Sequence, residues 1–394
     1  MTISTANWLI HNVNIVLEDR VVTGSVIVQD GLIKRIISQD SEEAAEDFQS
    51  FNAIDGKGGW LLPGFIDVHV HGGFSADFMD ATHESFDTIT KFHASHGTTG
   101  MLATTMTASK EAIEAVLQAV ADYQKIEMPF AALYGVHLEG PFISEKWPGA
   151  QNPAYIKDPQ LEWMKQWHSK WPELIRQLTL APEKNGALET ISWLKEQGIV
   201  TACGHTDAVY DEVIAAADAG LSQAVHTYNA MRGLHHREPG TLGAVLTDER
   251  IYAEIIADGI HVHPAAIRLL LAAKSTDHVI LITDAMAAAG MPNGQYSLGG
   301  LAVNMKDGVA TLSEGNALAG SCLTMIGAVR FILKHTNLTI SEVSRLASSN
   351  AAKQLGINDR TGSIETGKQA DLVLTDVQMN VQQTWVQGRS VYEA

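Results

Sequence analysis

The chain has 394 residues, a formal net charge of −18, 45% hydrophobic and 18% charged residues, and two cysteines, Cys203 and Cys322. So negative a chain argues against nucleic acid or an anionic membrane surface as a partner, because both require a basic face. No run approaches the roughly 20 apolar residues of a membrane-spanning helix, and neither a signal segment nor a cysteine framework indicates secretion. We therefore expect a globular protein of the cytoplasm.

The two ends of the chain share a strand-like pattern. Apolar and polar residues alternate there, as in strands with one buried face. The alternation covers residues 8–16 and 25–37, with a turn at Asp30-Gly31, and returns at residues 361–374 and 382–391, with turns at Thr366-Gly367 and Gln387-Gly388. We predict that residues 1–57 and 358–394 together form a small β-sandwich domain.

Between these ends, short apolar runs alternate with helical patterns. The eight runs cover residues 61–70, 98–105, 132–138, 178–181, 200–203, 224–228, 253–257 and 279–283. Eight repeats of strand and helix indicate a parallel (β/α)8 TIM-type barrel, predicted over residues 58–357 and inserted in the β-sandwich. An open doubly wound sheet is the alternative, although no Gly-rich phosphate loop follows the first run.

Two histidines end the first run. His69 and His71 alternate along the strand, so both imidazoles point to the same face and can meet at one cation. Two hydrogen-bonded core histidines are the alternative. Glu139 ends the third run, where a carboxylate is costly unless it is paired or binds a metal. An ordinary ion pair remains possible for Glu139, and His137 is interpreted as a supporting or core residue.

Three further side chains follow later runs. His205 and His226 each end a strand, and either alone would more often be structural; together with the earlier residues they predict a metal site. Asp284 follows the eighth run and is the predicted general base, which would accept a proton from a metal-activated water and return it to a leaving amine. A helix N-cap is its alternative role. Cys203 is interpreted as a buried strand residue.

This set of strand-end residues resembles the amidohydrolase superfamily, and is most similar to its N-acetylglucosamine-6-phosphate deacetylase branch. The resemblance covers nearly the whole chain. Its motifs are residues 63–67, 137–142, 204–205, 226–231, 237–240, 257–261, 283–285 and 318–321. It implies hydrolysis of the acetamide of N-acetylglucosamine 6-phosphate to glucosamine 6-phosphate and acetate, with one or two divalent ions, zinc or iron, per subunit.

The resemblance also implies roles for individual residues. Glu139, His205 and His226 would hold the main metal; the strand-end positions of His69, His71 and Asp284 leave these three available to a second. Asp284 would be catalytic. The sugar phosphate would contact Asn229, Ala230, His261 and, from a neighbouring subunit of a homodimer or larger homo-oligomer, Arg237; the pocket would be closed by Ala150, Gln151, Leu318, Ala319 and Gly320. An arginine can bind a phosphate through paired hydrogen bonds, although the negative charge of the whole chain repels the phosphate.

Two positions depart from the pattern of this branch. Some members carry amide residues in place of the paired histidines and hold one metal, whereas His69 and His71 are both present here, which leaves the number of metals open. Gln151 stands where other members have a histidine near the reacting carbonyl. An amide can donate a hydrogen bond but cannot become cationic, so the metal would contribute more of the carbonyl polarisation.

Other functions remain as alternatives. The same chemistry could act on N-acetylgalactosamine 6-phosphate, which differs in the configuration of one hydroxyl group. A cyclic-amide hydrolase, a nucleobase deaminase or an aminoacylase would use a related site, although cyclic-amide hydrolases often bridge their metals with a carboxylated lysine, and no lysine ends a matching strand. A non-enzymatic scaffold would be expected to have lost the ligands, which are all present.

Overall fold

The computed structural model describes residues 7–41 and 51–394, which contain two large sheets. One sheet joins the two ends of the chain, as predicted. Its strands are Trp8–Val16, Val21–Gln29, Leu32–Ser38, Asn52–Asp55, Trp60–Pro63, Leu372–Thr375, Val381–Val386 and Arg389–Glu393. Residues 1–6 and 42–50 of the predicted β-domain lie outside the described residues.

The terminal sheet is joined through Trp60–Pro63. This strand runs parallel to Trp8–Val16 and antiparallel to Leu372–Thr375. The rings of Trp8 and Trp385 stack with centroids 4.8 Å apart, although their strands are three steps apart in the sheet, about 14 Å if it were flat. The sheet is therefore strongly curled, and its two arms pack on one core like the layers of a sandwich.

The second sheet is the barrel. Its eight parallel strands, paired in chain order, are Phe65–Val70, Thr98–Thr105, Ala132–Glu139, Ile175–Leu180, Val200–Cys203, Gln223–Ala224, Tyr252–Ile256 and Val279–Ile282. The first and last strands close the ring through side-chain and loop contacts. Thr283 donates from Oγ1 to Asp67 Oδ2 at 2.5 Å, and the amide of Asp284 donates to the carbonyl of His69 at 2.9 Å. The predicted (β/α)8 barrel is confirmed.

Helices follow the barrel strands and cover their outer face. The first seven are His83–Ala94, Lys110–Tyr123, Leu161–Lys170, Ala187–Glu196, Tyr210–Ala219, Gly240–Thr247 and Pro264–Ala273. A three-stranded meander, Gly294–Leu298, Leu301–Lys306 and Val309–Leu312, precedes the helix Met325–His335. The segments Ile340–Ser344 and Asn350–Gln354 are joined by the π-helical turn Arg345–Ser349. Within the described ranges, no helix is long and apolar enough to cross a membrane.

Three predicted segments differ from the structure by more than a shift of their ends. Residues 61–70 form two strands in different sheets, and the chain passes between them at Gly64, where a Cβ would lie 2.1 Å from Thr99 Oγ1. Of residues 224–228, only Ala224 continues a strand, because the backbone then turns with positive φ at His226 and Tyr228. In residues 361–374, an isolated bridge joins Gln369 to Leu32, and the strand itself begins only at Leu372.

Candidate active site

The carboxyl ends of the barrel strands bring six predicted side chains together. His69 comes from the first strand and His71 from the residue directly after it, Glu139 from the third strand and the others from the turns after later strands. The fully or almost fully buried set is His69, His71, Glu139, His205, His226 and Asp284. This is the end of a TIM-type barrel where active sites are found. Residues scattered over more than 200 positions of sequence therefore form one cluster.

Glu139 is at the centre of the cluster. Its Oε1 atom lies 3.1 Å from Nε2 of both His205 and His226 and 3.2 Å from Nε2 of His69. Its Oε2 atom lies 3.2 Å from His71 Nε2. A single carboxylate thus faces four imidazole nitrogens, which is the position of a residue that can bridge two cations.

Two overlapping groups of side chains have the geometry to hold a metal ion. Oxygen and nitrogen atoms of His69, His71 and Asp284 lie within 4.8 Å of one another, and so do those of His69, Glu139 and His226. His205 Nε2 lies 3.1 Å from His226 Nε2. The Nε2 atom of His69 is buried, and its contact with Glu139 Oε1 at 3.2 Å lacks hydrogen-bond geometry, so a cation could take its place between the two. Imidazole and carboxylate donors suit zinc, iron and related divalent ions.

The second ring nitrogen orients three of the histidines. Nδ1 of His205 contacts the carbonyl of Trp147 at 2.9 Å, and Nδ1 of His226 contacts the carbonyl of Asn229 at 3.2 Å. Nδ1 of His69 contacts Glu254 Oε2 at 2.9 Å. Each partner oxygen accepts a hydrogen bond from Nδ1 and leaves Nε2 facing the cluster, the arrangement found around metal-binding histidines.

The backbone is unusual at three of the six residues. His205, His226 and Asp284 have φ values of 48°, 30° and 51°, in the left-handed region that residues other than glycine rarely adopt. Such strain costs on the order of 1–3 kcal/mol per residue and concentrates at functional sites. Here it turns each side chain inward just past the end of its strand.

Charges within the cluster stabilise one another. Burial alone would raise the pKa of Glu139, but the charge of His69 and hydrogen bonds from other imidazoles hold it well below its ordinary value. Burial would lower the pKa of His71, yet contacts with Asp284 and Glu139 raise it to about 9. Burial would raise the pKa of Asp284, but the hydrogen bond from His71 and the charges of His69 and His71 together lower it. Both carboxylates are therefore ionised at neutral pH and ready to bind a cation or accept a proton.

A cavity of about 370 Å³ opens above the cluster. Predicted substrate residues that line it are Ala150, Gln151, Asn229, Ala230, His261, Leu318 and Gly320. Ala319 is fully buried and does not line it. Arg237 does not line the cavity of its own chain either; it lies on an exposed loop, where its Nη1 atom contacts His236 Nε2 at 2.8 Å. The subunit alone thus assembles most of the predicted pocket but not its arginine.

Two lining residues already have protein partners. Gln151 donates from Nε2 to Glu139 Oε2 at 2.5 Å and accepts at Oε1 from the amide of Thr107 at 2.7 Å. His261 contacts Asp258 Oδ2 through Nδ1 at 2.7 Å, which leaves its other nitrogen for a ligand. The pKa of His261 is raised, because contacts with the Asp258 carboxylate outweigh the effect of burial.

Several residues of the site were not found from the sequence. Lys146 and Trp147 line the cavity, and both contact Asp207. Below the cluster, inside the barrel, lie the polar side chains of Gln177, Gln223 and Glu254. Glu254 could have been noticed as a lone charge in an otherwise apolar strand, residues 252–256; the loop residues carry no comparable signal.

Comparison with known proteins identifies the protein family of this chain. The amidohydrolase family model matches residues 60–391, and the chain belongs to this family. It is 42% identical to the N-acetylglucosamine-6-phosphate deacetylase of Vibrio furnissii over 96% of this chain and 92% of that protein. It is 41% identical to the N-acetylgalactosamine-6-phosphate deacetylase of Escherichia coli O157:H7, over 84% and 87%.

A solved structure agrees with these sequence relatives. A mutant N-acetyl-D-glucosamine-6-phosphate deacetylase of Mycobacterium smegmatis, in complex with N-acetyl-D-glucosamine-6-phosphate, has a TM-score of 0.91 and 31% identity, covering 98% of this chain and 99% of that one. The predicted resemblance to the deacetylase branch of the family is thereby confirmed.

Proposed function

We propose that the protein hydrolyses the acetamide of an N-acetylated amino-sugar 6-phosphate, N-acetylglucosamine 6-phosphate in the first place, to the free amine and acetate. The observation that carries this proposal is a carboxylate, Asp284, that lines the cavity 3.2 Å from His71 within a buried His and Glu cluster. The names of the relatives at 41% and 42% identity support the choice of substrate.

A divalent cation, zinc or iron, fits the donor set. Glu139, His205 and His226 would hold it, and His69, His71 and Asp284 could hold a second. When bound, such an ion polarises an amide carbonyl and lowers the pKa of water. Because the donors are buried and converge from different strands, the protein pre-forms the site before any ion binds.

Asp284 then performs the proton transfers. Its lowered pKa keeps it ionised at neutral pH, so it can accept the proton of the water that attacks the carbonyl carbon. When the bond between carbon and nitrogen breaks, Asp284 returns this proton to the departing nitrogen. The immediate products are acetic acid and the amine, which leave as acetate and the protonated amine after one proton passes between them, and the Asp284 carboxylate is regenerated.

The cavity residues would bind the sugar. His261 presents one ring nitrogen to the cavity, while Leu318 and Ala150 give it apolar walls. Asn229 and Ala230 would contact the phosphate group. Arg237 would reach it from a second subunit, which makes the active form at least a dimer.

N-acetylgalactosamine 6-phosphate is a second candidate substrate. It is favoured by the relative from Escherichia coli O157:H7, which is 41% identical and named for that sugar. The two sugars differ at one hydroxyl group, and a polar side chain placed against that group can discriminate strongly between them.

Acetate release from both phosphosugars, measured side by side on protein of known metal content, tests the proposal. We expect release that a chelator stops and added metal restores, faster from N-acetylglucosamine 6-phosphate. The unphosphorylated sugars are the control and should react poorly. Faster release from the galactosamine derivative would reassign the substrate. No release from either sugar, in protein that contains metal, would point to another amide substrate of the family.

A further inference from the structure

Glu254 is a fully buried carboxylate with no part in the reaction as described. It lies on the seventh barrel strand, Tyr252–Ile256, with its side chain inside the barrel. A carboxylate in such a place costs several kcal/mol unless its charge is compensated and its oxygens accept hydrogen bonds. An apolar side chain could fill the same space at a lower cost in free energy. Ile256, on the same strand, is such a buried apolar residue. The presence of a carboxylate at this position therefore requires a functional explanation.

Its hydrogen bonds show where the charge acts. Oε2 accepts from Nδ1 of His69 at 2.9 Å. Oε1 accepts from Nε2 of Gln177 at 2.9 Å and from Nε2 of Gln223 at 2.5 Å. Gln223 Nε2 also lies 2.9 Å from Gln177 Oε1. The two amides fix the carboxylate from below, and its remaining oxygen is directed at one imidazole of the cluster.

The contact distinguishes His69 from the other histidines of the cluster. His205 and His226 are oriented by backbone carbonyls, and Nδ1 of His71 is buried without a hydrogen-bond partner. Among these four imidazoles, only that of His69 has a charged side chain as the partner of its Nδ1 atom. His69 also belongs to both groups of side chains that could hold a cation.

We propose that Glu254 is a positioning residue of the metal centre. It keeps the proton of His69 on Nδ1 and the Nε2 lone pair toward the cluster, and its negative charge makes that nitrogen a stronger donor. It thereby sets the affinity of the position formed by His69, His71 and Asp284. The inference rests on the metal centre of the proposed function, but it holds whichever amide the enzyme hydrolyses.

Zinc titration of the metal-free protein by calorimetry tests this role. The wild type should bind two equivalents. In Glu254→Gln, which preserves size and removes the charge, the weaker equivalent should lose about 10- to 100-fold in affinity, while the equivalent at Glu139, His205 and His226 remains. Gln223→Leu is the matched control: it removes a partner of the same carboxylate but does not touch His69, and should bind both equivalents nearly as the wild type does.

Three results would overturn the proposal. They are a single equivalent in the wild type, unchanged binding in Glu254→Gln, and an equal loss in Gln223→Leu, which would mean that packing alone matters. If Glu254→Gln does not fold, nitrogen-15 NMR spectra of the histidine rings in the zinc-loaded wild type show which ring nitrogen of His69 carries the proton. Protonation of His69 on Nδ1 supports the proposal, and protonation on Nε2 contradicts it. Neither measurement uses a substrate, so failure of acetate release would leave this result standing.

Discussion

Asp284 differs from Glu139, the other carboxylate of the cluster that lines the cavity, in its contacts. It lines the cavity at the end of the last barrel strand, and it is hydrogen-bonded to only one imidazole, His71, whereas Glu139 faces four. Glu139 is therefore saturated by nitrogen contacts, while Asp284 retains an oxygen that can exchange a proton with a ligand. Proton transfer is the natural task of Asp284, and cation binding that of Glu139.

Replacing Asp284 by asparagine separates these tasks. We expect Asp284→Asn to lower kcat by at least about 100-fold, the contribution of general acid–base catalysis, because an amide cannot accept the proton. An amide oxygen can still contact a cation, so metal content and substrate affinity should remain close to those of the wild type. Single-turnover kinetics, metal analysis and calorimetric substrate binding measure the three quantities. Turnover like that of the wild type would remove Asp284 from the proton transfer.

The sequence predicted which residues form the site, but not the backbone conformations and hydrogen-bond partners that hold them in place. His69 and His71 could be paired because a strand has a period of two, and the six strand-end residues do come together. The left-handed backbone at His205, His226 and Asp284 could not be read from sequence, since these residue types only tolerate it. The partners Trp147 and Glu254 come from distant parts of the chain, and only the closed barrel makes them neighbours of His205 and His69.

Strands and helices were predicted well where one burial pattern continues along the whole segment. The run at residues 98–105 is a strand with every residue buried, and the helix Lys110–Tyr123 has an amphipathic period that sequence alone reveals. The run at residues 61–70 is equally apolar but serves two sheets, because Gly64 packs against Thr99 and redirects the chain. Hydrophobicity indicates that a segment is buried, but it does not indicate to which sheet the segment belongs. The predicted domain limits at residues 57 and 357 stay a prediction.

One helix carries a buried histidine that should weaken the fold in acid. His93, near the end of His83–Ala94, is fully buried, and its Nε2 donates to the carbonyl of Gly72 at 3.0 Å, while Nδ1 has no partner. Burial lowers its pKa to about 4. The unfolded chain binds a proton near pH 6.5, so stability should fall between pH 6.5 and 4, by up to about 3 kcal/mol.

The substitution His93→Gln should remove this acid sensitivity. Glutamine can donate to the same carbonyl but does not titrate, so the free energy of unfolding of the variant should fall less steeply between pH 6.5 and 4. Urea unfolding of the metal-free proteins at pH 7, 5.5 and 4.5 measures the difference without the proton exchange that accompanies metal binding. Parallel curves for the two proteins would show that His93 does not contribute.

The net charge of −18 opposes the binding of a phosphosugar to the molecule as a whole. Within one subunit, Lys146 is the only lysine or arginine among the described residues that line the cavity, and Asp207 Oδ2 lies 2.9 Å from its amino group. Arg237 is exposed and away from its own cavity. If a second subunit supplies Arg237, the assembly provides the positive charge that the single chain lacks, and the substrate site requires both subunits.

Removal of this arginine should affect the phosphorylated substrate selectively. We expect Arg237→Ala to raise KM for the phosphosugar by about 10- to 100-fold, since a hydrogen bond to a charged group contributes roughly 1.5–3 kcal/mol. KM for the unphosphorylated sugar should change little, because no phosphate contact is lost. Steady-state kinetics on both substrates measure the ratio. Equal changes for the two would place Arg237 outside the phosphate site.

Mixing two impaired proteins decides whether the arginine crosses between subunits. Asp284→Asn keeps Arg237 but cannot transfer protons, and Arg237→Ala keeps Asp284 but lacks the phosphate contact. In a two-fold dimer that exchanges subunits, half of the molecules are mixed and each has one complete site, so about a quarter of all sites should regain low KM. Activity should therefore rise on mixing at substrate concentrations well below the KM of Arg237→Ala. If each subunit uses its own Arg237, no mixed dimer contains a complete site, and activity would stay at the average of the two variants.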